Sequence, residues 1–169
     1  MDEKKKLIRS FIPVVVLKPM TEEAFRAIPQ NYRTDGMIGI LKLPFRVGRE
    51  SRVKKVDGKL LRLERQEISK TEANNDLYLM DRGEKLNISR EHFQIDKVDG
   101  RYRVIDRGSS LGTKVRNLTI GGKGKKGGAI IKDGDMIAIG CKSTPYVYQF
   151  ILLEGVLKKR KKGKKGKTR

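Results

Sequence analysis

The sequence predicts an all-β protein: a β-sandwich of two antiparallel sheets, followed by a disordered basic C-terminal tail. Two observations carry this prediction. Apolar and polar residues alternate with a period of two in several short segments, and Asp-Gly or Gly-Gly pairs separate many of these segments. Short alternating strands punctuated by tight turns are typical of antiparallel sandwiches.

The predicted elements follow in order along the sequence. The apolar run at residues 11–17 contains Pro13, is too short to span a membrane and lacks the cleavage site of a signal peptide, so we interpret it as a strand. The alternating segments are residues 37–43, 59–66, 75–81, 91–98, 101–106 and 146–153. The predicted turns are Asp57-Gly58, Asp99-Gly100, Gly121-Gly122 and Asp133-Gly134.

Two segments depart from the strand pattern. Residues 21–28 carry Thr21 as a helix N-cap, then two glutamates, and Pro29 ends the segment, which predicts a helix of at most two turns. Residues 120–128 are rich in glycine and lysine, which predicts a mobile basic loop.

The domain organisation predicted from composition has three parts. Residues 1–10 form a basic N-terminal lead and residues 11–154 form the sandwich. Residues 155–169 have no apolar side chain after Leu157, so they are predicted to be disordered.

The formal net charge is +20, from 40 basic and 20 acidic side chains, and residues 158–169 alone carry nine of the basic ones. A charge of this sign favours an anionic partner: a phosphoprotein, a nucleic acid or an anionic membrane surface. The charge does not choose among them.

Enzymatic chemistry has little support in the sequence. One cysteine and one histidine exclude a Cys/His zinc site, and neither a phosphate-binding loop nor a nucleophile elbow is present. A Cys141–His92 pair is formally possible but lacks the flanking residues of a thiol enzyme. His92 follows Ser89 by three positions, so it belongs either to a catalytic site or to the structural support of a binding site. We predict no enzyme activity, no metal and no cofactor.

Three motifs at predicted strand ends are informative together: "FRVGRE" at residues 45–50, "ISREH" at 88–92 and "DRGSSLGTKVRN" at 106–117. With residues 75–79 before the serine motif and 131–140 after the last, the set resembles the forkhead-associated (FHA) domain family. That family consists of β-sandwiches that bind phosphothreonine peptides. The resemblance covers about residues 11–154 and is strongest over residues 45–140.

The chemistry of the ligand agrees with the residues in these motifs. A phosphothreonine brings about two negative charges and several acceptor oxygens. Binding it calls for a planar cationic fork, short hydroxyl donors and backbone amides on a rigid scaffold. Arg49, Ser89, Arg90, Ser109 and Ser110 supply such groups.

The resemblance implies a role for each matching residue. Arg49 of the Gly48-Arg49 pair would contact the phosphate, Ser89 would donate to it, and Arg90 would add a second cation. Ser110, with Ser109 beside it, would reach the phosphate from the third loop. Asn87 would read a peptide residue on the C-terminal side of the phosphothreonine.

The family's histidine corresponds to His92 and braces the binding loops without touching ligand, which favours the structural alternative for this residue. Gly112 and Thr113 correspond to the family's Gly-Thr pair beside the site. Leu111 stands where the family usually has an asparagine that holds the peptide backbone. Without the asparagine amide, the protein should lose one or two hydrogen bonds to the peptide backbone, worth ~0.5–1.5 kcal/mol each.

We therefore expect a phosphothreonine-dependent binding module, a non-catalytic signalling adaptor that is monomeric and cytoplasmic, or nuclear in a eukaryote. Its partner would be a threonine-phosphorylated protein. The alternative is a nucleic-acid or polyanion binder that uses residues 158–169 and the loop at 120–128, with the FHA-like fold as a phospho-independent scaffold.

Overall fold

The computed structural model describes residues 3–49, 53–57, 59–62, 74–83, 85–140 and 143–154. In these ranges the strands form a seven-stranded sheet, a five-stranded sheet and a two-stranded hairpin. The predicted all-β sandwich is confirmed. The C-terminal tail, Cys141, Gly58 and residues 63–66 of a predicted strand lie outside the described residues.

The first part of the protein mixes short helices and strands. Its elements are α1 (Glu3–Phe11), β1 (Val15–Pro19), α2 (Glu22–Ala27), a 3₁₀ helix (Gln30–Tyr32), β2 (Arg33–Thr34), β3 (Met37–Ile40), β4 (Phe45–Arg49), β5 (Val53–Val56) and β6 (Lys59–Arg62). The later elements are β7 (Leu77–Leu79), β8 (Phe93–Val98), β9 (Arg101–Arg107), β10 (Thr113–Val115), β11 (Leu118–Ile120), β12 (Lys126–Ile130), β13 (Met136–Ile139) and β14 (Val147–Leu152).

The larger sheet has the strand order β11-β10-β13-β14-β1-β3-β2, and the smaller has the order β12-β9-β8-β4-β7. Within the described ranges, strands β5 and β6 pair only with each other. One pair departs from the predicted antiparallel arrangement, because β7 runs parallel to β4, with Val47 opposite Leu77.

The core lies between the two sheets and follows the period-two alternation. In β9, Tyr102 and Val104 are buried while Arg101 and Arg103 are exposed. Phe93, Tyr148 and Phe150 are among the largest fully buried side chains. Each large side chain buried in this way contributes roughly 1.5–3 kcal/mol, and together they make the sandwich a rigid support for its loops.

The short helix forms as its sequence predicts. The Thr21 side chain accepts a hydrogen bond from the backbone N–H of Ala24 at 3.1 Å, and the helix ends at Ala27, with Ile28 as its C-cap before Pro29. No helix in the described ranges is long and apolar enough to cross a membrane.

Two predicted segments are corrected. Phe11 is the last residue of helix α1, and the strand predicted at residues 11–17 begins only at Val15. The segment predicted as a mobile basic loop, residues 120–128, is a tight turn that leads from the last residue of β11 into the start of β12, where Lys126 pairs with Arg107 of β9. The ladder with β9 satisfies the backbone groups there, so glycine content alone misled the interpretation.

Strand directions bring the motif-bearing loops to one end of the sandwich. Strands β4, β7, β9 and β13 end there, while β8, β10, β12 and β14 begin there. The opposite end carries the start of β1 and the end of β14, where Val15 is paired with Leu152.

Candidate functional site

A cleft of about 650 Å³ opens at the loop-bearing end of the sandwich. It is lined by Arg49, Asn74, Leu86, Asn87, Ile88, Ser89, Arg90, Glu91, Arg107, Gly108 and Ser110. Five of the residues predicted to bind ligand are therefore brought together, from three segments distant in sequence: Arg49, Asn87, Ser89, Arg90 and Ser110.

Arg49 is the last residue of β4. It is fixed twice to the loop between β7 and β8 that carries Ser89, which we call the serine loop. Its backbone N–H donates to the carbonyl oxygen of Ser89 at 2.8 Å, and its Nε donates to the carbonyl oxygen of Ile88 at 3.0 Å. These bonds hold the half-buried guanidinium at the cleft wall, so its position is set before any ligand arrives.

Gly48 allows the serine loop to lie directly on β4. A Cβ atom at this position would stand 2.0 Å from the carbonyl oxygen of Arg90 and 2.6 Å from Nδ2 of Asn75. That Nδ2 donates to the Arg90 carbonyl at 2.7 Å. A glycine before the arginine is thus a packing requirement of the site.

Ser89 and Ser110 link two of the loops. The backbone N–H of Ser110 donates to Oγ of Ser89 at 3.0 Å. A hydroxyl carries one donor and two acceptor lone pairs, so accepting this bond does not use the hydroxyl's own proton. The Ser89 Oγ is therefore held at the cleft in an orientation in which it can donate to an anion.

His92 is fully buried and uses both ring nitrogens. The backbone N–H of Ser89 donates to Nδ1 at 2.8 Å, so the proton lies on Nε2, which donates to the carbonyl oxygen of Gly112 at 3.0 Å. Burial lowers the pKa of His92, outweighing the Gly112 hydrogen bond and the nearby carboxylates of Asp106 and Asp81. The neutral imidazole ties the serine loop to the loop between β9 and β10, which we call the third loop of the site. His92 does not line the cleft.

Asp106 organises the third loop from inside. Its carboxylate accepts hydrogen bonds from the backbone N–H groups of Gly108 and Ser109 at 3.0 and 2.8 Å. It also accepts from the hydroxyls of Ser109 and Thr113 at 2.7 and 2.8 Å. This buried carboxylate sets the curvature of the loop that presents Ser110.

Ser109, predicted to contact ligand, and Leu111, which occupies the position predicted to face the peptide backbone, do not line the cleft. Ser109 is fully buried, and its hydroxyl donates to Asp106 and accepts from the Gly112 backbone N–H at 2.9 Å. Its hydroxyl is committed to the loop interior, which corrects that expectation for Ser109. Leu111 is 41% exposed beside the cleft.

Arg107 and Asn75 are among the residues of the site that sequence reasoning missed. Nη1 of Arg107 donates to Oδ1 of Asn75 at 2.6 Å, and its Nη2 lies 3.3 Å from Oε1 of Glu91. Arg107 thereby adds a cation to the cleft. Its place at the end of the alternating segment, just before Gly108, was the available signal. Asn75 gives no local signal, because its role depends on contacts across the sheet.

Asp81, also missed, anchors the serine loop. Its Oδ2 accepts from the backbone N–H groups of Asn87 and Ile88 at 2.6 and 2.8 Å, and its Oδ1 accepts from the Tyr146 hydroxyl at 2.7 Å. Burial, with the Asp81 hydrogen bond and charge, raises the pKa of Tyr146 to about 12, so this hydroxyl remains a donor.

Within the part of the protein that the structure describes, no group of three or more His, Cys, Asp or Glu side chains could hold a metal ion. The cleft is instead a polar recess whose walls carry three arginines, Arg49, Arg90 and Arg107, with one carboxylate, Glu91.

The fold and the cleft define a β-sandwich that presents cations and hydroxyls from its loops. The family model described as "FHA domain" matches residues 45–140, more than half of the sequence. The chain belongs to the FHA domain family.

Several solved structures are similar to this protein at low identity. The FHA domain of CT664 from Chlamydia trachomatis is 16% identical, with a TM-score of 0.47, and the match covers 82% of this chain and 97% of that one. An FHA domain of a hypothetical Arabidopsis thaliana protein is 18% identical, with a TM-score of 0.48 and coverages of 85% and 89%.

A third similar structure is Mycobacterium tuberculosis EmbR, solved in complex with a low-affinity phosphopeptide. It is 17% identical, with a TM-score of 0.47, over 88% of this chain but only 28% of that protein. A search of the curated proteins found no match.

Proposed function

We propose that this protein is a phosphothreonine-dependent peptide-binding module that acts by binding and not by catalysis. The observation that carries the proposal is the convergence of Arg49, Ser89 and Ser110 on one cleft, with Arg90 and Arg107 beside them. A phosphate dianion needs charge-assisted donors from several directions. This cleft supplies the guanidinium of Arg49 and the hydroxyls of Ser89 and Ser110 from separate segments. Membership of a family of binding modules supports the same function.

The groups that would bind the phosphate are already ordered in the protein without a ligand. Arg49 and Ser89 are held by backbone hydrogen bonds on opposite sides of the Ile88–Ser89 peptide. Pre-ordered donors lose little entropy on binding, so more of their gross energy appears as affinity. Each charge-assisted bond is worth ~1.5–3 kcal/mol gross, and ordering a flexible peptide offsets much of the sum. We expect affinity near the micromolar level, about −8 kcal/mol.

Leu111 changes how the peptide backbone is held. A leucine side chain offers no hydrogen bond to the backbone of a ligand, so the phosphate contributes a larger share of the affinity. We expect binding to be weaker than it would be with an amide at this position, and strongly dependent on the phosphate.

The biological role that fits this module is that of an adaptor recruited when a threonine kinase modifies its partner. We propose that the module is monomeric and meets its partner in the cytoplasm, or in the nucleus if the source is eukaryotic. The polyanion-binding alternative depends mainly on residues 158–169, outside the described part of the protein, and it stays a prediction.

The test is fluorescence-anisotropy titration with three matched degenerate peptide libraries, carrying phosphothreonine, phosphoserine or unmodified threonine. We expect saturable binding to the phosphothreonine library and at least a tenfold loss in Arg49→Ala, because a charge-assisted contact of about 1.5 kcal/mol or more is removed. Arg101→Ala is the matched control, because Arg101 is an exposed arginine at the opposite end of the sandwich.

The outcome that contradicts the proposal is equal affinity for all three libraries, or no binding to any of them. A loss of affinity in Arg101→Ala as large as that in Arg49→Ala would also count against it. In that case net charge, and not the cleft, would be responsible for the attraction.

A further inference from the structure

The turn between β11 and β12 is built onto the third loop of the cleft. We call residues 121–126 the lysine turn. The backbone N–H of Lys123 donates to the carbonyl oxygen of Ser110 at 2.8 Å, and the N–H of Gly124 donates to that of Ser109 at 3.1 Å. Ser110 lines the cleft, so one hydrogen bond separates the lysine turn from the proposed phosphate site.

Close packing fixes the lysine turn in this place. A Cβ on Gly121 would stand 2.1 Å from Cγ of the buried Asp106, and a Cβ on Gly108 would stand 3.2 Å from the carbonyl oxygen of Gly124. The N–H of Lys125 also closes the turn by donating to the Gly122 carbonyl at 3.0 Å. The same carboxylate that shapes the third loop thus sets the approach of the lysine turn.

Three lysine side chains of this turn face solvent: Lys123, Lys125 and Lys126 are all exposed. None of the ion pairs found among the described residues involves them. Lys126 pairs in register with Arg107, whose side chain lines the cleft. Neighbouring strands lie about 4.8 Å apart, so Lys126 lies directly beside Arg107 at the edge of the cleft.

The charge around the cleft is asymmetric. Glu91 lies beside Arg107 on the side of β8, whereas β12 and the lysine turn lie on the other side of β9. A negatively charged segment next to a bound phosphothreonine would therefore be attracted toward the lysine turn.

We propose that the lysine turn extends the phosphothreonine site, so that this protein selects phosphothreonines that lie within acidic or further phosphorylated sequences. The inference rests on the proposed function. An extended peptide advances about 3.3 Å per residue, so side chains two or three positions from the phosphothreonine reach the turn. Two or three residues span about 7 to 10 Å, close to the Debye length of about 8 Å at physiological salt, so charges at that range are only partly screened. Because the Leu111 side chain forms no hydrogen bond with the peptide backbone, charges flanking the phosphothreonine contribute a larger fraction of the binding free energy.

The test uses four synthetic peptides and the 169-residue protein. One peptide carries phosphothreonine with neutral flanks, two carry phosphothreonine with three acidic residues before or after it, and the last is an acidic peptide with unmodified threonine. The turn variant is Lys123→Gln/Lys125→Gln/Lys126→Gln. The control variant is Lys42→Gln/Arg101→Gln/Lys132→Gln, which removes three exposed charges from the opposite end of the sandwich.

We expect at least one acidic phosphopeptide to bind the unmodified protein about three- to tenfold more tightly than the neutral one, as three partly screened pairs allow. The turn variant should lose this gain while keeping its affinity for the neutral phosphopeptide. The control variant and Lys123→Arg/Lys125→Arg/Lys126→Arg should keep it. In the unmodified protein, raising the salt from about 50 to 300 mM should remove most of the gain, so the test does not depend on the variants folding.

The inference is overturned if acidic flanks give no gain in the unmodified protein, or if the control variant loses as much as the turn variant. It is also overturned if the turn variant keeps the whole gain and leaves the affinity for every phosphopeptide unchanged. Failure of the proposed function looks different, because the neutral phosphopeptide would then bind no better than its unmodified counterpart.

Discussion

At the scale of single residues, the cleft depends on an approach between backbone segments that leaves no room for a side chain. Gly48 is the clearest case, because the Arg90 carbonyl occupies the place of a Cβ. The same approach lets Asn75 hold that carbonyl and receive Arg107 on its other end. Because residue 48 has no Cβ, the serine loop packs directly against β4, and Asn75 can bond both to that loop and to Arg107.

We expect Gly48→Ala to destabilise the fold by about 3 kcal/mol, because a Cβ 2.0 Å from backbone oxygen forces β4 and the serine loop apart. Urea unfolding followed by circular dichroism measures the change. The control is Gly128→Ala in strand β12, where an added Cβ meets its nearest neighbours at an ordinary 3.5 Å. Equal stabilities for the two variants would contradict the packing argument.

At the scale of elements, the serine loop between β7 and β8 is held by a carboxylate from its own beginning. Asp81 accepts the amide hydrogens of Asn87 and Ile88, and Tyr146 joins it from β14's side of the sandwich. The loop is thereby anchored to both sheets. Asp81 does not line the cleft, so it acts by positioning.

Asp81→Asn should loosen this loop, because an amide offers one acceptor oxygen where the carboxylate offers two. We expect faster hydrogen exchange at the Asn87 and Ile88 amides, a loss of about 1–3 kcal/mol in stability, and weaker phosphopeptide binding. Exchange measured by NMR separates a local effect from a global one. Asp96→Asn is the control, since Asp96 accepts from its neighbour Lys97 at an exposed position. Unchanged exchange at both amides would refute the positioning role.

The elements also show which parts of the structure local sequence can predict. Alternation located β8, β9 and β14 closely, because one face of each strand is buried, and Thr21 located the start of α2. The apolar run at residues 11–17 was wrongly interpreted as one strand, because it continues from the end of a helix into a strand. The parallel pairing of β7 with β4 has no local signal, because it is decided by sheet contacts between distant segments.

The site divides in the same way. Residue types with an evident affinity for phosphate were recognisable in their motifs, and Arg49, Ser89, Arg90 and Ser110 do converge on the cleft. Whether a serine faces in or out was not recognisable, since Ser109 and Ser110 differ only in which way one turn presents them. Asn75 and Arg107 gain their roles from partners far away in the sequence. Asp81 gains its role from two amides of its own loop and from the distant Tyr146.

At the scale of the whole molecule, the single histidine couples stability to pH. His92 is neutral in the folded state, with Nδ1 accepting a hydrogen bond, and burial lowers its pKa. In the unfolded protein, the pKa of His92 is near the usual histidine value of about 6.5. Below that pH the unfolded state therefore binds a proton that the folded state does not. The stability contributed by His92 is therefore complete above pH 6.5 and is lost as the pH falls toward its folded pKa.

We expect the free energy of unfolding to fall between pH 6.5 and 5 with a slope of at most about 1.4 kcal/mol per pH unit, the limit for one proton. Urea unfolding at a series of pH values measures it. His92→Gln should be less stable at pH 7 and should lose the slope, because no other histidine is present. The lowered pKa of Asp76, where hydrogen bonds and charge from Arg46 outweigh burial, affects stability only at lower pH. A flat profile in the unmodified protein would contradict the neutral, buried assignment.

The pairing of Val15 with Leu152 has a practical consequence. The described polypeptide enters and leaves the sandwich at the end remote from the cleft, so an attachment made near either point leaves the mouth of the cleft unobstructed. A module with this geometry is suited to immobilisation on a bead or sensor chip through an attachment near Val15 or near Leu152. It could then serve as a capture reagent, or be fused in tandem for avidity, without redesign of its loops.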